Sequence, residues 1–252
     1  MKRGPIWQAA AVLLLTGCIS VLAYASGGEG KHWGYSGENG PEHWGQLSPE
    51  FSMCGTGKNQ SPVNLTSFIQ AELEPLTMQY STEGVEVLNN GHAIQVNFAP
   101  GSTLAVEGRE YELKQIHFHS PSENVIDGQS YPMEGHLVHL DGKGQIAVVA
   151  VMYEEGPENG AIAAAWKEMP GAAGETKPLT GFGTAEGFLP ASRDYYRFNG
   201  SLTTPPCTEG VTWLVIKESA KLSAGQISQF QKVMGMANNR PVQPTNARVI
   251  LE

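Results

Sequence analysis

Much of this chain carries the patterning of strands rather than helices. Residues 111–119 and 135–140 alternate polar with apolar, the period of two that a half-buried strand requires. Strand-like stretches at 85–88 and 93–98 flank Asn89-Asn90-Gly91, a strong turn signal, so the pair predicts a hairpin. Residues 146–153 and 211–217 are apolar nearly throughout. Such runs are expected of strands buried on both faces. Asp141-Gly142-Lys143-Gly144 marks a turn before the first run. Helical spacing is scarcer. Residues 161–168 form one candidate. Ser223, followed three residues later by Gln226, opens a second with capping-box spacing into Ile227, Phe230, Val233 and Met234. Residues 26–60 are rich in Gly, Ser, Pro and Trp, show no clear period, and read as an arm wrapped on the surface. No repeat or linker interrupts the pattern, so 26–252 reads as one mainly β domain.

Composition agrees with that picture. Of 252 residues, 40% are hydrophobic and 16% charged, a globular balance, and 30 glycines with 16 prolines imply many turns and long surface loops. The formal net charge of −9 makes nucleic acid an improbable partner, because an acidic surface repels phosphate. The amino terminus reads as an export signal. Lys2 and Arg3 precede an apolar stretch, and Ala23-Tyr24-Ala25 is a small-x-small cleavage site, so residues 1–25 are expected to be removed. Leu15-Thr16-Gly17-Cys18 allows a competing reading, lipoprotein processing with anchoring at Cys18. No later stretch is apolar enough to span a bilayer. The expected location is periplasmic or secreted. Removing the signal leaves Cys54 and Cys207, which can pair in an oxidising compartment or remain as two buried thiols.

The histidines bring chemistry to this frame. In Gln115-Ile116-His117-Phe118-His119, both histidines fall on one face of a strand, with Ile116 and Phe118 on the other. Two imidazoles so placed are half of a metal site, although H-x-H alone is also satisfied by two ordinary histidines. In Glu134-Gly135-His136-Leu137-Val138-His139, the same period puts His136 and His139 on opposite faces. Glu134 shares the face of His136 and can accept from the far ring nitrogen, as acceptors behind metal-bound histidines do. That favours His136 as the third ligand and leaves His139 structural. Three neutral histidines leave a fourth tetrahedral position open, the mark of a catalytic zinc.

With these segments in view, the chain resembles the alpha carbonic anhydrases, and among them the exported bacterial members, over essentially all of 32–252. The resemblance is carried by His32-Trp33-Gly34-Tyr35, Gly40-Pro41-Glu42-His43-Trp44, Asn59-Gln60-Ser61-Pro62-Val63-Asn64 and Leu88-Asn89-Asn90-Gly91-His92-Ala93. The two histidine segments, Ser201-Leu202-Thr203-Thr204-Pro205-Pro206 and Val211-Thr212-Trp213 complete it. It implies a large central, twisted, mostly antiparallel sheet with short peripheral helices. It implies Zn²⁺ on His117, His119 and His136, with bound water brought to a pKa of about 7, a value already established for carbonic anhydrase. The implied reaction is reversible attack of zinc hydroxide on CO2 to give bicarbonate and a proton.

The resemblance also assigns roles to other residues. Thr203 matches the hydroxyl that orients the nucleophile, Glu123 the carboxylate behind it, and Thr204 borders the pocket. Gln115 and Glu134 match the partners of His117 and His136, and the carbonyl of Asn246 is expected to serve His119. Val138, Val148, Leu202, Val211 and Trp213 match the walls of a dry CO2 pocket. His92 matches the proton shuttle, titrating near 6.5 if unperturbed, with Tyr35, Asn90 and Gln95 lining the water path. Cys54 and Cys207 match the disulfide of bacterial members. Phe198 departs from the tyrosine that many members carry. Two rival readings remain, a non-catalytic zinc-binding module of the same fold and a periplasmic zinc buffer. A module of the first kind usually lacks a zinc histidine, and a buffer needs no Thr203–Glu123 pair.

Overall fold

The computed structural model describes residues 32–252. The export signal, its cleavage site and Cys18 lie outside the described residues. Alternation becomes strand where expected. In chain order the strands are β1 (Asn64–Leu65), β2 (Thr77–Gln79), β3 (Gly84–Asn89), β4 (Ile94–Phe98), β5 (Thr103–Val106), β6 (Arg109–His119), β7 (Val125–Ile126), β8 (Met133–Leu140), β9 (Ile146–Glu155), β10 (Thr176–Pro178), β11 (Tyr195–Ser201), β12 (Glu209–Ile216) and β13 (Ala220–Leu222). One large sheet runs β10-β3-β4-β6-β8-β9-β12-β11, with β13 on β9, β5 on β6 and β2 on β5. Its pairs are antiparallel except where β12 and β13 join β9. A small parallel pair, β1 and β7, stands apart.

The apolar run at 146–153 is explained by β9, which lies inside this sheet with a core on each face. Val149, Val151 and Tyr153 enter the larger core, while Val148, Ala150 and Met152 enter the smaller. Each large side chain so buried contributes about 1.5–3 kcal/mol. β6 and β8 divide their residues differently. Ile116, Phe118 and Leu137 go to the larger core. The alternate residues of both strands, His117, His119, His136 and Val138, are left for the other face.

Helix is confined to short pieces: α1 (Trp44–Leu47), α2 (Met53–Thr56), α3 (Gly160–Lys167) and α4 (Ala224–Met234). Both halves of the Ser223–Gln226 capping box are formed, and Gly235, at φ 69°, ends α4 in the left-handed region. No helix among the described residues is long and apolar enough to cross a membrane.

Several features differ from the sequence pattern, among them the short strands β1, β2, β5, β7, β10 and β13, which it did not mark. The arm is not featureless, because α1 and α2 are one-turn helices folded around Trp44, which is fully buried with the Cys54–Cys207 disulfide. β11 was not among the expected strands. It is an edge of the sheet, so Arg197 and Asn199 can face water there and break the apolar signal. Gly200 within it is a position of close approach: an added Cβ would lie 2.1 Å from Ser61 Oγ and 2.8 Å from the Trp213 ring.

Candidate functional site

His117 and His136 face one another across the β6–β8 ladder, and His119 follows on the same face of β6. One nitrogen from each of the three rings lies within 4.8 Å of the others. The remaining nitrogens are engaged by acceptors. His117 Nδ1 meets Gln115 Oε1 at 2.9 Å, His119 Nδ1 meets the Asn238 carbonyl at 2.7 Å, and His136 Nε2 meets Glu134 Oε1 at 2.9 Å. An acceptor at one nitrogen holds the proton there and leaves a lone pair on the other. The lone pairs are therefore on His117 Nε2, His119 Nε2 and His136 Nδ1. His119 Nε2 is buried and has no hydrogen-bond partner. Burial lowers the pKa of both His117 and His119, and the neighbouring imidazoles lower that of His117 further. Neutral rings are the form that binds metal. The three residues can hold a metal ion.

Glu134 is the most heavily bonded group behind them. Its Oε2 accepts from the backbone N–H of Glu123 at 2.7 Å and of Asn124 at 2.8 Å, and its Oε1 accepts from Asn124 Nδ2 at 2.7 Å as well as from His136. Burial pushes its pKa up, but the adjacent His136 imidazole and these hydrogen bonds outweigh burial and bring it down. Glu123 is the opposite case. It is 1% exposed, and burial raises it to about 7 against the opposing pulls of His136, the Arg240 N–H and the Thr203 hydroxyl. Arg240 N donates to its Oε1 at 2.8 Å. Thr203 lies near enough to favour the charged form, but not in hydrogen-bonding geometry, and Oε2 has no partner. Oε2 is 3.5 Å from His119 Nε2.

Apolar residues flank this group. Val148, Val211 and Trp213 are buried in the smaller core, with Val138 and Leu202 packed against it, and the Trp213 ring meets His136 edge-on at 4.9 Å. Phe198 stacks on Trp213. Thr203 is buried and Thr204 half-buried in the bend between β11 and β12. The bend is pinned by Cys207, bonded to Cys54 of the arm.

His92 follows β3 and its turn, where Asn90 Oδ1 accepts from the N–H groups of His92 and Ala93. The imidazole is stacked on Trp33, with centroids 3.7 Å apart, and faces Tyr35 at 6.4 Å and His32 at 6.2 Å. This departs from the expectation of an unperturbed histidine. Partial burial under Trp33, then the His32 charge, lowers His92 to about 4. The Tyr35 hydroxyl is buried without a partner, and Gln95 Nε2 donates to Asn97.

One expected residue is corrected. Asn246 does not serve His119. It is exposed, and its Nδ2 donates to the Lys58 carbonyl at 2.7 Å. After Gly235 the chain passes the end of β6 at residue 238, and by residue 246 it has reached the arm. Asn238 and Arg240 were absent from the sequence reading. They follow a helix cap in a polar, aperiodic stretch, where nothing local marks two residues that are 0% and 1% exposed. Asn124 was missed because it too lies in a polar, aperiodic stretch, the turn between β6 and β7. His139 falls on the opposite face, as the period requires, with Nε2 2.7 Å from Tyr80 Oη.

The model of the eukaryotic-type carbonic anhydrase family matches residues 39–252. A carbonic anhydrase of Neisseria gonorrhoeae is 52% identical over 243 residues, 96% of this chain and 95% of that relative. One from Pectobacterium carotovorum is 47% identical over 233 residues, 92% and 96% of the two chains. A solved structure, the alpha carbonic anhydrase of Thermovibrio ammonificans with the inhibitor sulfanilamide, aligns with a TM-score of 0.86 at 49% identity, covering 88% of this chain and 99% of that one.

Proposed function

The chain belongs to the eukaryotic-type, or alpha, carbonic anhydrase family, and on that premise we propose that it catalyses reversible hydration of CO2 to bicarbonate and a proton, with Zn²⁺ on His117, His119 and His136. The observation that carries the reading is the three lone-pair nitrogens within 4.8 Å of one another, each on a ring whose other nitrogen meets an acceptor. A zinc ion held there supplies Lewis acidity, which brings a water molecule to a pKa of about 7, the value established for carbonic anhydrase.

The residues of the chain supply the rest. Glu134, Gln115 and the Asn238 carbonyl hold the three rings in the tautomers that bind metal. Glu123 Oε2 is the natural acceptor for the Thr203 hydroxyl, whose oxygen then accepts from the reacting water and aims a lone pair of that water at the substrate. Thr204 borders the same space. Val138, Val148, Leu202, Val211 and Trp213 exclude water from the side where apolar CO2 must lie. His92 passes the proton outward along Tyr35, Asn90 and Gln95. For that it must leave the stack on Trp33, where its basicity is too low to match an acid of pKa near 7.

We also propose that the protein is exported to the periplasm or beyond. The amino-terminal pattern supports this, and so does the disulfide, which persists in oxidising compartments.

Purified protein should hydrate CO2, lose the activity to a chelator and regain it with Zn²⁺. It should carry one zinc per chain. His117→Ala, His119→Ala and His136→Ala should each lose the metal, while His139→Ala should keep it. Full zinc occupancy in His136→Ala, or zinc-loaded protein without hydration activity, would overturn the reading. The second result would leave a non-catalytic zinc module of the same fold.

A further inference from the structure

Strands β4 and β6 stop pairing just before the site. Their last rung is Gln95 with His117; the same register would next set Ile94 against Phe118, then Ala93 against His119 and His92 against Ser120, but no such rungs form. The strands part there, and the side chain of Asn238 stands between them. Its Nδ2 donates to the Phe118 carbonyl at 2.9 Å and to the His92 carbonyl at 2.9 Å, and its Oδ1 accepts from Ser120 N at 2.8 Å. The group is 0% exposed, and both its N–H groups and its oxygen are engaged. Its main-chain carbonyl accepts from His119 Nδ1 at 2.7 Å. One residue thus touches the backbone of His92, the end of the ligand strand, and the ring of a ligand.

We propose that Asn238 is a positioning residue that sets the separation between His92 and His119, its carboxamide replacing the missing rungs of the β4–β6 ladder. The proposal rests on the reading of His92 as the proton carrier. A ladder closed by backbone pairing would draw the two strands together at the mouth of the site. Without any bridge, the His92 carbonyl would lack its partner and the turn before β4 would lose its tie to the end of β6. The bridge needs two donors and one acceptor on one short planar group, which asparagine provides and aspartate, serine and alanine do not. The connection to His119 uses the main chain, so changing the side chain separates the two roles.

The test compares Asn238→Ala, Asn238→Asp and His92→Ala with wild type. Asn238→Asp retains an acceptor for Ser120 N and loses both donors; Asn238→Ala loses all three bonds and leaves room for water. In both Asn238 variants zinc affinity and CO2–bicarbonate exchange at chemical equilibrium should fall much less than turnover in dilute buffer. Both should lose turnover several-fold in dilute buffer, with recovery in concentrated imidazole. In metal-free protein, the ring resonances of His92 should move and its contacts with Trp33 weaken, while the His139 ring stays in place. Unmoved His92 resonances with wild-type turnover in dilute buffer would overturn the proposal. So would a loss of zinc affinity, exchange and turnover in common, since that is what general loosening gives. A failure of the underlying reading is distinguishable. It would appear as His92→Ala showing no buffer-dependent deficit, whereas a deficit in His92→Ala and none in the Asn238 variants refutes the positioning role alone.

Discussion

Replacing Glu134 by glutamine removes one negative charge and almost no volume, yet the structure makes it a severe change. The carboxylate receives four hydrogen bonds, two at each oxygen. An amide has one oxygen and one NH2, so either orientation sets an NH2 against two donors. If NH2 faces the backbone, the N–H groups of Glu123 and Asn124 are orphaned. If it faces His136 and Asn124 Nδ2, the imidazole can answer only by moving its proton to Nδ1, the nitrogen offered to the metal. Each buried group left unpaired costs about 1–3 kcal/mol, so several kcal/mol are at stake in the first orientation. At about 2–4 °C per kcal/mol for a chain of this length, Tm should fall by roughly 10 °C. In the second orientation the loss appears in metal affinity, expected to drop about 10–100-fold when an acceptor behind a metal-bound histidine is removed. Zinc affinity by chelator competition and Tm by calorimetry read the two costs on one sample. Gln115→Ala is the control. Gln115 is half-buried and water can replace it behind His117, so its effect should be much smaller. A Glu134→Gln protein with wild-type Tm and wild-type zinc affinity would refute the reasoning.

Other consequences are as direct. Thr203→Ala should retain zinc and lose most CO2 hydration; wild-type turnover would remove Thr203 from the mechanism. His139 is neutral in the fold, lowered to about 4 by burial, and titrates near 6.5 once unfolded. Its contribution is therefore fully present above pH 6.5 and is lost as pH falls toward 4, by about 3 kcal/mol in total. Urea midpoints of wild type and His139→Gln at several pH values check this, and identical slopes would contradict it. Thiol titration of denatured, unreduced protein should find Cys54 and Cys207 blocked. The bridge closes a separation of 153 residues, so breaking it should cost up to about 5 kcal/mol of unfolding free energy. Two free thiols, or a reduced protein of unchanged stability, would count against that.

Legibility from sequence followed the range of the interaction involved. The faces of β6 and β8 could be read because a strand alternates rigidly, which separated His136 from His139 before any contact was known. The two-sided burial of β9 was readable from its unbroken apolar run. The capping box of α4 was local and so was visible too. β11 was missed because an edge strand tolerates the polar residues that erase its period. The arm was read as irregular because one-turn helices are too short to show one. Family resemblance added Thr203 and Glu123, which no pattern singles out, but it placed the acceptor of His119 at Asn246 rather than Asn238. That contact joins residues 119 positions apart. Long-range hydrogen bonds from irregular backbone leave no periodic trace.

The segment that carries Asn238 and Arg240 bears on the order in which the protein can be completed. Arg240 is buried, and its guanidinium holds the Cys54 and Ser61 carbonyls and Gln60 Oε1, while its N–H holds Glu123. These partners lie between 117 and 186 residues upstream. A chain emerging amino terminus first therefore displays all three metal-binding histidines and the arm cysteine well before the residues that orient and enclose them. A fragment ending after β9 has the ligands on adjacent strands but no carbonyl for His119 Nδ1 and no donor for Glu123 Oε1. Nascent chains halted at that length should capture metal loosely and exchange it freely. Only the segment at Asn238 and Arg240 turns the ligand set into a fixed one, so a truncation that removes it is a sharper lesion than its distance in sequence from the histidines suggests.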